Sequence, residues 1–486
     1  MEGKGWKLYP QRIAGISGIL GRSSCIVSCF LLCAFSTIAY AQDSIWQVRE
    51  ISFSGNHITR EHILQREISL SAGDSLSWTE ISQAAGEGRQ NLENTGLFNF
   101  VEMEIRVLDS SDRHLSIHYT LTERWYLWPL PVFEIADRNI NSWWESGAFR
   151  RANYGFLLTH HNMRGRKEKL TAAFLTGHEN LLSLVYDLPY LDRNRLWGAW
   201  GGFSYATTRE LLLGEKDKRP VWFDSQDMVL QQRLRFGVGA HYRPGFFHRF
   251  QLSTVYEKIR LHDSVLISNP RYPYREAQLE SALLSLKFYY QWDRRDQRYY
   301  PLDGHYLDVN LDWHFTSAAG LHTLEWQQSF LMNARRYIPL SPRWYASGGY
   351  TGFLSLPGSS PFLFHQGLGF DRKFIRGYED FLFTGEAYAV AKTELKWALM
   401  PQREMLLPFI PYSQFNRLHL ALFLSAFADG GWIYQRLPEG GTVREWLGGI
   451  GLGMNLVTYY DKVLRLEYSR NGRGEGGIFI HAIAPI

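Results

Sequence analysis

The chain has 486 residues, and its charged fraction of 21% is ordinary for a folded protein. Phe, Trp and Tyr make up 15% of the residues, which is expected where side chains lie between lipid and water. A mean hydropathy of -0.26 argues against a helical membrane protein. It is compatible with a membrane β-barrel, because polar and apolar residues alternate along barrel strands.

The N-terminus has the features of an export signal. An apolar stretch runs from Ile26 to Ile38, and Ala39-Tyr40-Ala41 provides small residues for cleavage before Gln42. The basic residues that precede the apolar stretch are Lys4, Lys7, Arg12 and Arg22. We therefore predict a signal peptide over residues 1–41. An uncleaved membrane anchor is the alternative, although the stretch is shorter than the roughly 20 residues that span a bilayer.

Cleavage at this site would change the chemistry of the chain. All three cysteines, Cys25, Cys29 and Cys33, lie in the predicted signal peptide, so residues 42–486 contain no thiol and no cysteine-ligated metal. The signal also holds four basic residues and one acidic residue, which leaves 48 basic against 47 acidic side chains. Such a balanced charge gives no support for nucleic-acid binding.

Residues 45–124 predict a small α+β unit with the order β-α-α-β-β. The alternating segment 46–53 predicts a strand, and Thr59 is positioned to cap the helix that follows. A second helix is predicted from Trp78 to the stop signal at residues 94–96. The alternating segments FNFVEMEIRV and HLSIHYTLTE then predict two strands.

This order, with the segments ISFSGNHITREHIL and NTGLFNFVEMEI, resembles the POTRA domain. POTRA domains are the periplasmic modules of the BamA/TamA outer-membrane assembly and translocation superfamily. The resemblance predicts a member with a single POTRA domain over residues 42–125. A generic small α+β domain is the alternative for this segment taken alone.

From about Leu127 to Ile486 the sequence alternates with a period of two. In HYLDVNLDWH, residues 305–314, apolar and polar side chains fall on opposite faces, and LHLALFLSAFAD and VLRLEYSR repeat the pattern. Charges on one face of so many strands require a wet interior. We therefore predict an all-β transmembrane barrel of about sixteen antiparallel strands over residues 126–486. A soluble β-sandwich or propeller is the alternative.

Turns and loops are predicted between the strands of this region. Short turns are predicted at 162–166, 243–247, 337–343 and 457–462, and longer loops around 206–227, 259–279, 354–385 and 430–445. Several segments resemble turns and strands of the superfamily's surface-antigen barrel, among them NMRGRKEKL, DLPYLDRN, AFADGGWIY and GGIGLGMNL. The segment WDRRDQRYYPLDGHYL resembles its mid-barrel turn motif, with Asp293, Arg295, Asp296, Pro301 and Gly304 as the matching residues.

The loop segment DRKFIRGYED contains an Arg-Gly-Tyr step that resembles the superfamily's most recognisable motif. In that superfamily the motif lies on a loop after the eleventh strand, which folds into the lumen; here that loop is 354–385. Buried Arg376 needs a carboxylate, and alternation directs Asp429 and Glu394 inward. We predict a lumen-loop latch in which Arg376 bonds one or both, Gly377 permits a tight tip and Tyr378 packs on the wall. An exposed loop whose arginine meets only water is the alternative.

The first and last barrel strands form a predicted weak seam. Pro129 and Pro131 lie in the first strand, where neither can donate a ladder hydrogen bond, and Pro485 lies in the last. In the resembled superfamily the barrel parts at this junction to pass a client strand into the membrane. The alternative is that Pro129 and Pro131 lie outside the paired region, near the POTRA linker.

The sequence contains no recognisable catalytic, phosphate-binding or metal-binding motif, so we expect no enzymatic activity, cofactor or metal. The resemblance implies an outer-membrane protein of a Gram-negative bacterium that inserts or translocates proteins. Its expected partners are outer-membrane lipid, an unfolded outer-membrane or secreted client, and periplasmic or lipoprotein partners at the POTRA domain, with no nucleic acid. A passive plugged barrel or pore with a surface role is the alternative.

Overall fold

The computed structural model describes residues 44–135, 152–225, 228–268, 279–318, 325–356, 367–370, 373–408, 410–411, 416–436, 441–458 and 462–483. The predicted signal peptide and Pro485 lie outside these ranges. No helix in the described part of the chain combines the length and apolarity that a bilayer crossing needs.

The N-terminal unit is a four-stranded sheet packed against two helices. Its elements are β1 (Ile45–Ser54), α1 (Glu61–Gln65), β2 (Ser75–Ser77), α2 (Trp78–Asn94), β3 (Phe98–Asp109) and β4 (His114–Glu123). The sheet order is β2-β1-β4-β3, in which β1 and β4 are parallel and the other pairs antiparallel. The three-residue strand β2 is an addition to the predicted order, because it is too short to show a periodic pattern.

Alternation and capping explain why this unit folds as it does. Helix α2 begins with a capping box in which Ser77 accepts from the Glu80 N–H and the Glu80 side chain accepts from the Ser77 N–H. One face of each helix and of the sheet meet in a closed apolar core. Its fully buried members include Val48, Ile63, Leu64, Ile81, Leu92, Leu115, Ile117 and Tyr119.

The predicted capping role of Thr59 is wrong. The residue before α1 is Arg60, which makes no side-chain cap, while the Thr59 hydroxyl donates to Glu123 at 2.5 Å. The same hydroxyl accepts from the Asn162 amide at 2.8 Å. Thr59 therefore connects the N-terminal unit to the first turn of the barrel, and its hydroxyl is unavailable to the helix.

The rest of the chain is dominated by one sixteen-stranded antiparallel sheet, which confirms the predicted fold class. Its strands are β5 (Leu127–Ile135), β6 (Ala152–Met163), β7 (Glu168–Gly177), β8 (Glu179–Leu188), β9 (Trp197–Thr208), β12 (Gln231–Tyr242), β13 (His248–Leu261), β14 (Glu280–Asp293), β15 (Gly304–Ala318), β16 (Glu325–Pro339), β17 (Trp344–Leu356), β18 (Ala387–Leu406), β19 (Arg417–Arg436), β20 (Thr442–Val457), β21 (Val463–Asn471) and β22 (Gly476–Ile483). Each strand pairs with its neighbours in chain order, as in an up-and-down barrel. The sheet curves round, since the ring of Tyr300, after β14, packs at a tilt against Phe423 of β19.

The alternating pattern has the predicted orientation. Along β19 every odd-numbered residue from 421 to 429 is buried, and along β21 the even-numbered residues Leu464, Leu466 and Tyr468 are exposed. The inward Asp308 of β15 is buried and accepts hydrogen bonds from Asn310 and Asn333 at 3.0 Å each. The inward face therefore carries polar groups together with buried rings such as Phe423 and Phe427, while the apolar residues of β21 face outward.

Turns at the two ends of the barrel differ in length. The ends of the strands place short turns at 164–167, 243–247 and 340–343, on the same side as the N-terminal unit. The opposite end carries the hairpin of β10 (Glu210–Lys216) and β11 (Arg219–Asp224), and helix α3 (Asp263–Ser268).

The loop predicted at 430–445 is wrong. Strand β19 continues to Arg436 and β20 begins at Thr442, so Gly430 and Gly431 lie inside a paired strand. A side chain at 431 would place its Cβ 2.3 Å from the Ile375 Cδ1 atom of the lumen loop. Glycine is required at 431 by this close approach and does not mark a turn.

Candidate functional site

The described part of the loop between β17 and β18 lies inside the barrel. We call residues 367–370 and 373–386 the lumen loop. Tyr378 is buried and packs edge-on against Phe381 and Phe383 of the same loop. The apolar cluster that these rings join also contains wall residues of three strands, which are Tyr388, Val390, Ile433 and Leu447.

Arg376 is held by a bidentate pair with Asp429 of β19. The Arg376 Nε donates to Oδ2 at 2.8 Å and Nη2 donates to Oδ1 at 2.6 Å, and the Arg376 backbone N–H adds a third bond at 3.2 Å. Glu394 of β18 lies further away, with 3.9 Å between its Oε2 and Nη1. The guanidinium also lies over the Phe427 ring, 3.7 Å from its centroid.

The tip of the loop sits against the last hairpin of the barrel. Gly377 has a φ of 92°, which favours glycine, and a Cβ there would lie 3.1 Å from the Asn471 backbone nitrogen. The Asn471 amide donates to the Gly377 carbonyl at 2.8 Å. The loop is thereby fixed to β21 as well as to β18 and β19.

A further carboxylate, Glu467 of β21, belongs to the same site. Its Oε1 lies 3.9 Å from Arg376 Nη1 and 3.5 Å from Arg465 Nε. Glu467 was not among the predicted site residues, although alternation along its strand VLRLEYSR directs it inward. The signal was present, but nothing in one sequence places β21 next to the lumen loop.

Glu379 follows the Arg-Gly-Tyr step and accepts a hydrogen bond from the Gly377 N–H at 2.8 Å. Burial raises the pKa of the Glu379 carboxyl to about 7, and the nearby Glu467 and Asp380 carboxylates act in the same direction. Ligand atoms of Glu379, Glu467 and His481 lie within 4.8 Å of one another, so these three residues could approach a cation. Arg376 and Arg465 already lie close to Glu467 and offset its charge.

The β10–β11 hairpin covers the lumen loop from the far end of the barrel. The Lys218 carbonyl accepts from the Leu382 N–H and the Glu215 carboxylate accepts from the Thr384 N–H, both at 2.9 Å. Arg219 lies over the Phe381 ring and pairs with Glu475, in the turn before β22, at 3.2 Å.

The residues of the mid-barrel turn motif form one compact turn. Arg295 pairs with Asp293 at 2.8 Å, and both side chains are buried. The Asp296 carboxylate accepts from the Gln297 N–H at 2.8 Å and the Leu302 N–H at 3.1 Å. Pro301 is buried, and Gly304 begins β15 with a φ of 101°. The Asp296 carbonyl accepts from Gln90 and Asn94 of α2, so this turn contacts the N-terminal unit.

The main junction between the N-terminal unit and the barrel is centred on Glu67. Arg243 donates to both Glu67 oxygens at 2.6 and 2.7 Å, Tyr190 donates at 3.1 Å, and Lys167 lies 3.5 Å away. The neighbouring Arg66 donates to the carbonyls of Arg243 at 2.9 Å and Gly245 at 3.0 Å. The three turns that hold these partners were predicted from the sequence, but the junction itself was not.

The charges at this junction are strongly coupled. Burial alone would raise the pKa of Glu67, but Arg243 and Lys167 outweigh it and hold the pKa below its ordinary value. Burial lowers the pKa of Lys167 to about 8, against the opposing effect of Glu67. Glu67 therefore stays ionised at neutral pH and fixes the N-terminal unit to three barrel turns.

The two end strands of the barrel sheet, β5 and β22, form the seam. Within the described residues each pairs on one side only, β5 with β6 and β22 with β21. Pro129 and Pro131 lie inside the paired part of β5, opposite Leu158 and Phe156. The alternative that these prolines lie outside the paired region is therefore wrong.

Register shows which way the backbone of β5 faces. The His161 N–H donates to the Tyr126 carbonyl at 2.8 Å, so residues 126 and 161 form a hydrogen-bonded pair, and such pairs recur at every second residue. The backbone N–H and C=O groups of the even-numbered residues of β5 thus point toward β6. Its odd-numbered residues, Pro129 and Pro131 included, direct their backbone groups to the free edge.

The same reasoning orients β22. The Asn471 N–H donates to the Glu475 carbonyl at 2.8 Å, and the β21–β22 ladder continues in that register to Ile483. The backbone N–H and C=O groups of the odd-numbered residues of β22 therefore point toward β21. The residues whose backbone groups face the free edge are Gly476, Ile478, Ile480 and Ala482.

Comparison with known proteins identifies the N-terminal unit. The POTRA family, described as "Surface antigen variable number repeat", matches residues 47–124. A search for similar sequences among curated proteins finds no match.

Solved structures similar to this chain include BamA from Haemophilus ducreyi lacking POTRA domains 1-3, at 18% identity and a TM-score of 0.48 over 90% of this chain and 83% of that one. CdiB from Acinetobacter baumannii has 12% identity and a TM-score of 0.48 over 90% and 74% of the two chains. CdiB from Escherichia coli has 13% identity and a TM-score of 0.45 over 93% and 90%.

The family match confirms the POTRA domain on which the resemblance to the BamA/TamA superfamily began. The chain joins a POTRA domain to a sixteen-stranded antiparallel β-barrel.

Proposed function

We propose that this protein is a non-enzymatic outer-membrane factor that inserts or translocates other proteins. Its POTRA domain lies in the periplasm of a Gram-negative bacterium and captures an unfolded client by strand addition at its sheet edge. The barrel then passes the client through its lumen or its lateral seam. The client is an outer-membrane or secreted protein, and periplasmic or lipoprotein partners dock on the POTRA domain.

The observation that carries the proposal is that the POTRA sheet and the barrel sheet both have end strands that pair on one side only within the described residues. In the POTRA domain β3 is an end strand, and Val107 and Leu108 near its C-terminal end are exposed. In the barrel the end strands β5 and β22 each pair with a neighbouring strand on one side only within the described residues. Unpaired edges invite pairing with another chain, and folded proteins usually protect them. Edge strands in both parts of the chain favour a protein that handles extended polypeptides.

The latch supports the same proposal. Arg376, Asp429 and the cluster around Tyr378 anchor the lumen loop to β18, β19 and β20, beside the last hairpin. We propose that this latch keeps the barrel wall in register next to the seam, where the described residues of β5 and β22 form no ladder with each other. A passive plugged barrel would also contain such a loop, so the latch alone does not choose between the two functions.

Depletion of the protein, followed by quantitative proteomics of the outer membrane and of the secreted fraction, tests the proposal. Loss of several unrelated barrels is expected for a general assembly factor, and loss of one secreted protein for a dedicated translocator. Re-expression of the wild-type chain should restore the lost proteins. An unchanged proteome would overturn the proposal in favour of the passive barrel.

A further inference from the structure

A cavity of about 140 Å³ lies between the POTRA domain and the adjoining turns of the barrel. It is much larger than the roughly 10–15 Å³ that one water molecule requires, so there is room for a ligand group. Three of the residues that line it are acidic, which are Glu67, Glu87 and Asp293. Five are basic, which are Lys167, Arg243, Arg294, Arg295 and Arg298. Five cations against three carboxylates leave the wall of the cavity with an excess of two positive charges.

Two of these cations share the carboxylate of Glu67. Arg243 donates to both carboxylate oxygens, whereas Lys167 Nζ lies 3.5 Å from Oε1. Glu67 carries one negative charge, and the bidentate pair with Arg243 already offsets it. The Lys167 ammonium is therefore a second positive charge on a carboxylate that has a closer partner.

Asp293 repeats this arrangement on the other side of the cavity. Arg295 donates to both of its oxygens at 2.8 Å, from Nε and from Nη2. Arg298 Nε lies 3.6 Å from Asp293 Oδ2. Arg298, like Lys167, is thus the more distant of two cations that share one carboxylate.

The other two charged residues of the lining do not change this balance. Glu87 is exposed and accepts from the Gln83 amide of the same helix at 3.0 Å. Arg294 is also exposed and lies over the Phe247 ring, 4.6 Å from its centroid. Their charges are opposite in sign, so the excess comes from the four cations around Glu67 and Asp293.

The pKa values of the two more distant cations are consistent with a positive field. Burial lowers the pKa of Lys167 to about 8 against the attraction of Glu67, and Arg243 and Arg298 add to the lowering. Burial also lowers the pKa of Arg298, and Arg243 and Arg295 act in the same direction. A bound anion would oppose each of these effects.

We propose that this cavity binds a phosphate group between Lys167 and Arg298. A phosphate group carries about one to two negative charges and offers several oxygens to cations that approach from different directions. It would lie between helix α2 and the barrel turns, and so would join the POTRA domain to the barrel beside Glu67. This site goes beyond the proposed function, because it involves no client.

A phospholipid headgroup and soluble phosphate can both supply the group. The rings of Phe246 and Phe247 also line the cavity, and both are half-buried. Strands on either side of their turn carry a series of ring contacts at the same end of the barrel, formed by Trp197, Tyr242, Phe250 and Tyr290. Aromatic belts of this kind lie at the headgroup level of a membrane, which favours the phospholipid.

Binding to the full-length protein in phosphate-free detergent tests the proposal. Native mass spectrometry after addition of dioleoyl phosphatidylglycerol measures the lipid source, and isothermal titration calorimetry with sodium phosphate measures the soluble source. Dioleoylglycerol is the matched lipid control, because it has the same chains without the phosphate. We expect one phosphatidylglycerol per chain, bound on the order of tenfold more tightly than dioleoylglycerol.

The first variant is Arg298→Gln. We expect it to weaken binding of the phosphate-bearing probe by about tenfold, while Asp293 keeps its bidentate partner Arg295. The Arg298 side chain is 46% exposed, so the fold should tolerate the change. Arg89→Gln is the matched control, since it removes the same charge from the exposed side of α2, outside the cavity, and should bind like the parent protein.

Lys167→Gln tests the second cation and should weaken binding to a similar extent. Glu67 keeps its bidentate partner Arg243 in this variant. Heat-modifiable electrophoretic migration verifies that each variant has a folded barrel.

The probes distinguish the two sources. Tighter binding of phosphatidylglycerol than of inorganic phosphate would assign the site to a lipid headgroup, and equal or weaker binding would assign it to soluble phosphate. Either result supports a phosphate site. The proposal would be overturned by equal binding of phosphatidylglycerol and dioleoylglycerol without any binding of inorganic phosphate, by no saturable binding of either phosphate probe, or by unchanged binding in both variants. None of these results depends on the outer-membrane proteome after depletion, so the site and the proposed function are tested separately.

Discussion

Arg376 shows how one side chain can bind a loop to a barrel wall. Its guanidinium is buried against the Asp429 carboxylate and lies within 4 Å of Glu394 and Glu467. A buried ion pair contributes little net stability compared with an apolar replacement of both partners, but removing one partner leaves an uncompensated charge. We therefore expect the Arg376–Asp429 pair to affect the stability of the protein mainly when one of its two partners is removed.

Replacing this arginine by a neutral side chain should be costly. We expect Arg376→Met to lower the free energy of unfolding by about 3–5 kcal/mol, because Asp429 is left charged and buried. Urea titration of the refolded protein in detergent measures the loss. Arg89→Met is the matched control, since its pair with Glu93 on the exposed side of α2 contributes only about 0.3–0.5 kcal/mol.

Exchange of the two charges checks the pairing itself. Arg376→Asp and Asp429→Arg should each be unstable, and the double variant should recover part of the loss. If the double variant assembles no better than either single one, the pairing is not the interaction that holds the loop.

Adjacent glycines of β19 offer an equally sharp comparison. At Gly431 a Cβ would lie 2.3 Å from Ile375 Cδ1, whereas at Gly430 it would meet no atom within 4 Å. We expect Gly431→Ala to destabilise the folded protein by about 1–3 kcal/mol through overpacking, and Gly430→Ala to have almost no effect. Thermal unfolding measures both. Ile375→Ala should relieve the Gly431→Ala defect, and its failure to do so would assign the defect to another contact.

These residues also show how far one sequence predicts a site. Alternation along β18 and β19 turned Glu394 and Asp429 inward before any coordinates were known. Glu467 and Glu67 were not found, because each meets its partners across large sequence separations that local patterns do not encode. The glycines at 430 and 431 were misread as a loop, since a glycine pair signals a turn unless the neighbouring lumen loop is known to approach.

The lumen loop is an element whose docking should depend on pH. The Glu379 carboxyl has a raised pKa of about 7 in the docked loop, and 4.5 is its ordinary value. Its protonated form is thus favoured by docking, and this contribution is complete below pH 4.5 and is lost as the pH rises through 7. The groups that surround it are Gly377, Asp380, Glu467 and His481.

Accessibility of a buried loop position measures this effect. In an Ile375→Cys variant, maleimide labelling should be on the order of tenfold faster at pH 8 than at pH 5.5, after correction for the thiol's own ionisation. Adding Glu379→Gln should abolish the corrected difference, because the amide does not titrate. A difference that survives in this background would point to another of the surrounding groups, such as Glu467.

The strands as elements were the most predictable part of the fold. A period-two pattern with outward apolar residues specifies barrel strands whatever their partners are, and β19 and β21 follow it closely. The three-residue strand β2 and the β10–β11 hairpin left no such pattern. They form because packing against neighbouring elements holds them in place.

At the scale of the whole molecule, buried ion pairs hold the POTRA domain against the barrel in addition to the covalent chain. Glu67 is buried and is contacted by Arg243, Tyr190 and Lys167 from three different turns. We expect Glu67→Gln to weaken docking by about 3 kcal/mol, because Arg243 and Lys167 lose their counter-charge. Tryptic cleavage between the two parts should become roughly 100-fold faster.

Glu93→Gln is the matched control for this prediction. Glu93 pairs with Arg89 on the exposed side of α2, and such helix pairs contribute only about 0.3–0.5 kcal/mol. Its cleavage rate should equal that of the parent protein. An unchanged rate in Glu67→Gln would show that the apolar contact between Tyr190 and the POTRA core is sufficient to hold the two parts together.

The β10–β11 hairpin has a mechanical consequence for the seam. It leaves the sheet between β9 and β12, holds the lumen loop through Leu382 and Thr384, and reaches Glu475 beside β22. A displacement of the last hairpin would therefore be transmitted through the β10–β11 hairpin to the lumen loop and to strands β9 and β12. If a client pushes β22 outward, as proposed, the movement would also strain the contacts of the β10–β11 hairpin with the lumen loop, and sideways and axial opening of the barrel would then be coupled.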